Sequence, residues 1–284
     1  MNINKIRSIH IPPIDHAYDK RDTILYALGL GYGADPTNDA ELPFVYEHRL
    51  RCVPSFVNNL CHPGFWVKNP ELEIDWVKIL HAEQEFTIHK PLPGTGFVRG
   101  NYQIVGVEDK GAERGALLHQ SKTLVDAKTD EVYATVRSTL FLRGDGGRGG
   151  FGEKISPPVP LPDRTADLAV DVETLQRQAL IYRLSGDWNP LHADPEIAKK
   201  AGFPRPILHG LCTNGLATRA ILATYCDNDV GRLKSLFVRF SKPIFPGETV
   251  RFEFYQDNIK SIRFRARVVE RGEIVLDRCM ARLT

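Results

Sequence analysis

The sequence predicts an α+β fold made of two similar halves, each a helical segment followed by an antiparallel sheet. Three observations lead there. Runs of strand-forming residues separated by turn residues fill 97–142 and again 233–283, the pattern of β meanders. The segment 211–225 instead carries apolar or small residues at Leu211, Ala217, Ile221 and Leu222, so it reads as a buried helix. Finally, His89-Lys90-Pro91-Leu92-Pro93-Gly94 is echoed by Ser241-Lys242-Pro243-Ile244-Phe245-Pro246-Gly247. Lys90 and Lys242 stand 152 positions apart in a chain of 284, so an internal duplication is expected. A curved sheet wrapped on one helix would bury both the helix and one sheet face.

Taken in order, 22–31 begins with a capping residue and ends in glycines, which predicts a short helix. A small apolar run, Phe44-Val45-Tyr46, ends in Glu47, where the plain reading is a solvated carboxylate. Residues 74–83 lead into Gln84-Glu85-Phe86-Thr87-Ile88, with His81 as a hydrogen-bonded turn or core histidine. Three strands are expected at 97–107, 117–127 and 132–142; Lys110 lies in the first turn between them and reads as exposed. Residues 144–150 contain a literal GxGxxG, but a proline-rich stretch follows it instead of a helix. A dinucleotide site needs strand, glycine turn and helix in succession. The stretch 144–163 is therefore read as a linker between an N-terminal half (1–143) and a C-terminal half (164–284). Residues 171–184 show an apolar face through Leu175, Ala179 and Leu180, and strands are expected at 233–240, 249–255, 262–269 and 274–283.

Composition sets bounds. With 42% hydrophobic residues the chain can bury a large core, and a net charge of +2 gives no field that demands nucleic acid. Five cysteines without metal-type spacing suggest buried thiols in a reducing compartment. No apolar leader or membrane-length run is present, and Ala281-Arg282-Leu283-Thr284 is not a Ser-Lys-Leu address, so a soluble cytoplasmic protein is expected.

The chemistry is concentrated in 182–219. Asp187, Asn189 and His192 fall within six residues, around a turn at Asn189-Pro190. Asp-x-Asn-Pro is also ordinary turn chemistry. His209-Gly210 opens the buried helix, whose first N–H groups are free donors for an anionic oxygen. An acid and an imidazole next to such donors suggest acid–base chemistry on a carbonyl compound. A zinc site from His192, Asp194 and His209 has the wrong spacing and no thiolate nearby, so no metal is expected.

The stretch YRLSGDWNPLH followed by AGFPRPILHGLC resembles the signature of the R-specific, type-2 or MaoC-like enoyl-CoA hydratases, and the resemblance extends over about 18–283. It implies a double hot-dog fold and hydration of 2-enoyl-CoA thioesters to 3R-hydroxyacyl-CoA. Asp187 and His192 would hold a water, with Asn189 as a neutral orienter and Gly210 N–H on the thioester carbonyl. By the same resemblance Glu47 is a functional glutamate, and His81 and Ala82 contact the acyl-CoA. Lys110 would reach a CoA phosphate, Phe240 would touch the ligand, and Trp188, Pro190 and Leu191 would line the binding site. CoA would be part of the substrate, with no separate cofactor, and a homodimer without nucleic-acid or membrane partners is expected. With one strongly helical core segment, in the second half, the first half should be less filled and leave room for an acyl chain. The alternatives are a hot-dog thioesterase and a non-catalytic acyl-CoA-binding protein.

Overall fold

The computed structural model describes residues 1–152 and 154–284. Helix α1 (Ile3–Ser8), strand β1 (Ile14–Tyr18), and helices α2 (Lys20–Gly29) and α3 (Leu42–Val45) precede a 3-10 turn at Pro54–Asn58. Strands β2 (Ile79–Ile88), β3 (Gly96–Asp109), β4 (Ala116–Asp126) and β5 (Val132–Leu142) complete the first half. The second half runs β6 (Leu168–Glu173), α4 (Gln178–Tyr182), α5 (Pro195–Lys200), α6 (Gly210–Tyr225), β7 (Leu233–Arg239), β8 (Thr249–Asn258), β9 (Ser261–Val268) and β10 (Ile274–Leu283).

All ten strands form one antiparallel sheet in the order β1-β3-β4-β5-β2-β7-β10-β9-β8-β6. Read outward from the β2–β7 seam, the two halves have the same strand order, as a duplication requires. The seam pairs Glu83 with Arg239, Gln84 with Val238 and Phe86 with Leu236. Helix α6 packs on β2, β6 and β7 and buries ten of its residues, including Leu216, Ile221 and Leu222. A helix apolar on nearly every side belongs inside, and the sheet wraps it. This is the double hot-dog arrangement. At Gly215 of α6 a side chain would run into Leu30, 2.3 Å from where its Cβ would stand, so glycine lets the end of α2 lie against the helix.

The expected strands and the buried helix are present, and the differences are local. Asp19, not Asp22, caps α2; Asp22 is the reciprocal partner of a capping box. The segment read as one apolar face over 171–184 is split, since its start belongs to β6 and only 178–182 is α-helical, with Leu180 exposed. Pairing with β8 overrides the local periodicity there. The glycine-rich stretch is an ordered anchor over the β3–β4 turn. Gly147 N–H and Gly149 N–H donate to the Asp109 carboxylate at 2.8 and 2.7 Å, and Phe151 bridges to Val107. These glycine amides do hold an anion, but it is the chain's own. Aromatic rings pack within the first half: Phe56 meets Tyr26 at 4.7 Å and Tyr18 at 5.7 Å. All five cysteines are free and buried. No helix among the described residues is long and apolar enough to cross a membrane.

Candidate active site

The chain reaches the site through a left-handed glycine. Gly186 has φ 113° at the end of the 3-10 turn Arg183–Ser185, a conformation that favours glycine, and it turns the chain into Asp187. Asn189 then caps the next 3-10 turn, Pro190–His192, by accepting Leu191 N–H at 3.1 Å, while the Asp187 carboxylate accepts Asn189 N–H at 3.2 Å. The ordinary turn chemistry of Asp-x-Asn-Pro is therefore present, and it is also what fixes the Asp187 side chain.

His192 is buried beside it. Its Nδ1–H donates to the Ile207 carbonyl at 2.9 Å, because a carbonyl can only accept; in the neutral ring the lone pair is left on Nε2. Burial lowers the His192 pKa and outweighs the Ile207 bond, so the ring favours its neutral, basic form. His209 stacks on His192 with ring centroids 3.7 Å apart and donates Nε2–H to the Asp187 carbonyl at 3.2 Å. Burial, then the neighbouring His192, pushes His209 down to about 3, which keeps it uncharged. One oxygen of Asp187 and one nitrogen from each ring lie within 4.8 Å of one another, a span that one bridging water can fill.

The other wall comes from the first half. His81 lies on β2, where the register shifts between His81 and Glu83 and leaves Ala82 as the bulged residue. The Ala82 carbonyl accepts Phe240 N–H at 2.9 Å, and the Phe240 ring lies 5.0 Å from His81. Phe240 also faces Gly210, where an added Cβ would sit 3.4 Å from the ring. The α6 N-cap, His209, supplies no side-chain hydrogen bond, so Gly210 N–H keeps the free donor expected at a helix start. The Asp187 carboxylate is close enough to raise the pKa values of His81 and His62, although burial lowers both overall.

The structure thus brings together Asp187, Asn189, His192, His81, Ala82, Gly210 and Phe240. Trp188 and Pro190 are exposed and Leu191 is half-buried on the same turn; Arg183 lies 4.8 Å over the Trp188 ring. Two residues are not brought to the cluster. Lys110 pairs with Glu108 at 2.5 Å in the β3–β4 turn. Glu47 is exposed and makes no hydrogen bond or ion pair among the described residues, so this geometry lends no support to the functional role that the resemblance implies for it. The buried acid of that region is Glu41, held 2.7 Å from Arg219 on α6.

Sequence reasoning missed the residues that clamp the site. Asn59 accepts Tyr182 O–H at 3.0 Å and donates to the Ser185 carbonyl at 3.2 Å, tying the first half to the loop that carries Asp187. Asn58 links Gln84 on β2 to Asn214 on α6. The available signal was the polar pair Asn58-Asn59 inside the apolar run Phe56 to Leu60.

Comparison with known proteins identifies the family. Residues 159–278 match the MaoC like domain, and 16–144 match the MFE-2 hydratase 2 N-terminal domain. The chain is 36% identical to Enoyl-CoA hydratase 2, peroxisomal, of Arabidopsis thaliana, covering 94% of this chain and 90% of that protein. It is 37% identical to the mouse (Mus musculus) Peroxisomal multifunctional enzyme type 2, over 94% of this chain but only 36% of that longer protein. A MaoC-like dehydratase from Phytophthora capsici superposes with a TM-score of 0.87 at 35% identity, covering 100% of this chain and 99% of the other. The chain belongs to the MaoC-like hydratase 2 family.

Proposed function

We propose that the protein is an R-specific 2-enoyl-CoA hydratase, equivalently a (3R)-3-hydroxyacyl-CoA dehydratase. The observation that carries this reading is a neutral imidazole, His192, with its Nε2 lone pair free beside the Asp187 carboxylate. A water held by these two groups adds its hydroxyl to C3. Its proton passes to the pair and is returned to C2 on the same face, so addition is syn. Gly210 N–H binds the thioester oxygen as it gains charge, and a donor so placed is worth ~3 kcal/mol in the transition state. Asn189 orients the water's neighbours, His81 and Phe240 bound the thioester end, and Lys110 would need to leave Glu108 to meet a CoA phosphate.

No metal is proposed. The imidazoles of His192 and His209 are stacked 28° from parallel, so their in-plane lone pairs run side by side instead of converging on one ion. Five buried free thiols favour a reducing compartment, hence the cytoplasm. Exposed Trp76, Val77 and Leu80 in one short stretch supply apolar surface for a homodimer, which sedimentation would test.

Crotonyl-CoA hydration decides the activity. The conjugated absorbance should fall without release of free thiol, and an S-specific 3-hydroxyacyl-CoA dehydrogenase should form no NADH from the product. Free thiol would indicate a thioesterase, and rapid NADH formation would overturn the 3R assignment.

A further inference from the structure

We propose that the acyl end of this site selects an enoyl thioester bearing a hydrogen-bond-accepting oxygen near its fifth chain atom, held by the side-chain amide of Asn214. The inference rests on the hydratase reading above and names its substrate class. It comes from a chain of hydrogen bonds whose direction is determined at every link.

His81 Nε2 lies 3.1 Å from the Glu83 carbonyl, which can only accept, so Nε2 carries the proton. The same N–H lies 3.0 Å from Gln84, and the group it meets there must be the amide oxygen Oε1. Gln84 Nε2 then donates to Asn58 Oδ1 at 2.8 Å, which leaves Asn58 Nδ2 to donate to Asn214 Oδ1 at 3.0 Å. Every amide orientation follows from the one carbonyl at Glu83. The chain ends on Asn214 Nδ2, which is wholly buried and has no acceptor among the described residues. A buried donor without a partner is costly and rare in native proteins.

The place of this donor points to a ligand. Asn214 and Gly210 lie four residues apart on one face of α6, about 6 Å along the axis. Gly210 faces Phe240, Phe240 faces His81, and His81 leads through Gln84 and Asn58 back to Asn214. These contacts join the buried donor to the thioester site through one connected set of residues. With the thioester oxygen on Gly210 N–H, roughly four or five chain atoms reach Asn214. A second observation gives the same sign. The Lys122 ammonium is buried, donates to the carbonyls of Val57, Asn58 and Leu60, and has no carboxylate partner among the described residues. The positive potential reaches Asn58, the residue that holds Asn214, and favours an electronegative atom there. A plain alkyl chain reaching Asn214 would leave its Nδ2 unpaired.

The test pairs 4-methoxycrotonyl-CoA with trans-2-hexenoyl-CoA, which differ by an ether oxygen in place of the fifth carbon. Ether oxygen accepts and cannot donate. Wild-type kcat/KM should favour the ether roughly tenfold, the scale of one hydrogen bond to a buried donor. Moving the oxygen one or two atoms further along longer ether chains should abolish the preference, a result that needs no variant. Asn214→Leu should reverse it. Equal rates for the pair, a preference for hexenoyl-CoA, or an ether preference that survives in Asn214→Leu would overturn the proposal. Those outcomes differ from failure of the activity itself, which crotonyl-CoA reports: no hydration of crotonyl-CoA would remove the hydratase reading and this inference together.

Discussion

In the second half a sixteen-residue helix, α6, packs on β2, β6 and β7; in the first half the five-residue turn Pro54–Asn58 packs on β2 and β5. The helix bonds most of its own backbone, whereas a single 3-10 turn closes only a few such bonds, among them Asn59 N–H to the Phe56 carbonyl. Its last carbonyls, on Val57 and Asn58, and the Leu60 carbonyl just beyond it are held by Lys122 at 2.8, 3.2 and 2.6 Å. That lysine is buried, and its pKa is pushed down to about 8 by desolvation. The exchange frees Asn58 and Asn59 to reach across the molecule, one to α6 and one to the loop bearing Asp187. The half without the long helix thus serves as the clamp, and the half with it carries Asp187 and His192. Both belong to one site because β2 and β7 are paired.

The largest effect should come from the second half. Asp187→Asn or His192→Ala should lower kcat by about 10²-fold or more, the scale of a lost acid–base group. The double variant should lose little beyond the worse single one, because groups acting as a unit are not additive. Near-normal turnover in either folded variant would remove the pair from the chemistry.

Next is the clamp. Lys122→Met leaves three buried carbonyls without a donor, at roughly 1–3 kcal/mol for each group left unsatisfied, partly offset by removing a buried charge. A net loss of about 2–4 kcal/mol is expected in a denaturant titration. Leu216→Met in α6 should cost less than about 1.5 kcal/mol, as volume-conserving changes do. Equal losses would mean that the first half does not depend on its lysine.

A smaller effect concerns pH. The unfolded chain protonates His209 near its ordinary 6.5, whereas in the native site burial and the neighbouring His192 hold it down to about 3. Its contribution is therefore complete above pH 6.5 and is lost as pH falls towards 3. His209→Gln should flatten the drop in melting temperature between pH 7 and pH 4; an unchanged drop would assign the acid sensitivity to other groups.

The smallest change is Glu47→Gln. Exposed, and unpaired among the described residues, it should leave stability within about 0.5 kcal/mol. A fall in kcat at constant melting temperature would give Glu47 the role that the family resemblance implies, and unchanged kcat would withdraw it.

Much of this protein is legible without coordinates. The β meanders, the apolar helix over 211–225 and the echoed Lys-Pro motifs depend on local periodicity and turn chemistry, which the chain displays in order. So does the closeness of Asp187, Asn189 and His192, because a turn of six residues confines them whatever surrounds it. The tautomer of His192 depended on where the Ile207 carbonyl came to rest, and the neutrality of His209 on how deeply its ring is buried. The roles of Asn58, Asn59 and Asn214 depended on the β2–β7 seam, which joins residues about 150 positions apart. Hydrogen bonds act over about 3 Å and their partners are chosen by tertiary packing, so no local pattern could assign them. Periodicity settles which residues lie on the inner face of an element, but only the packed fold settles which inward polar groups find a partner and which one is left for the substrate.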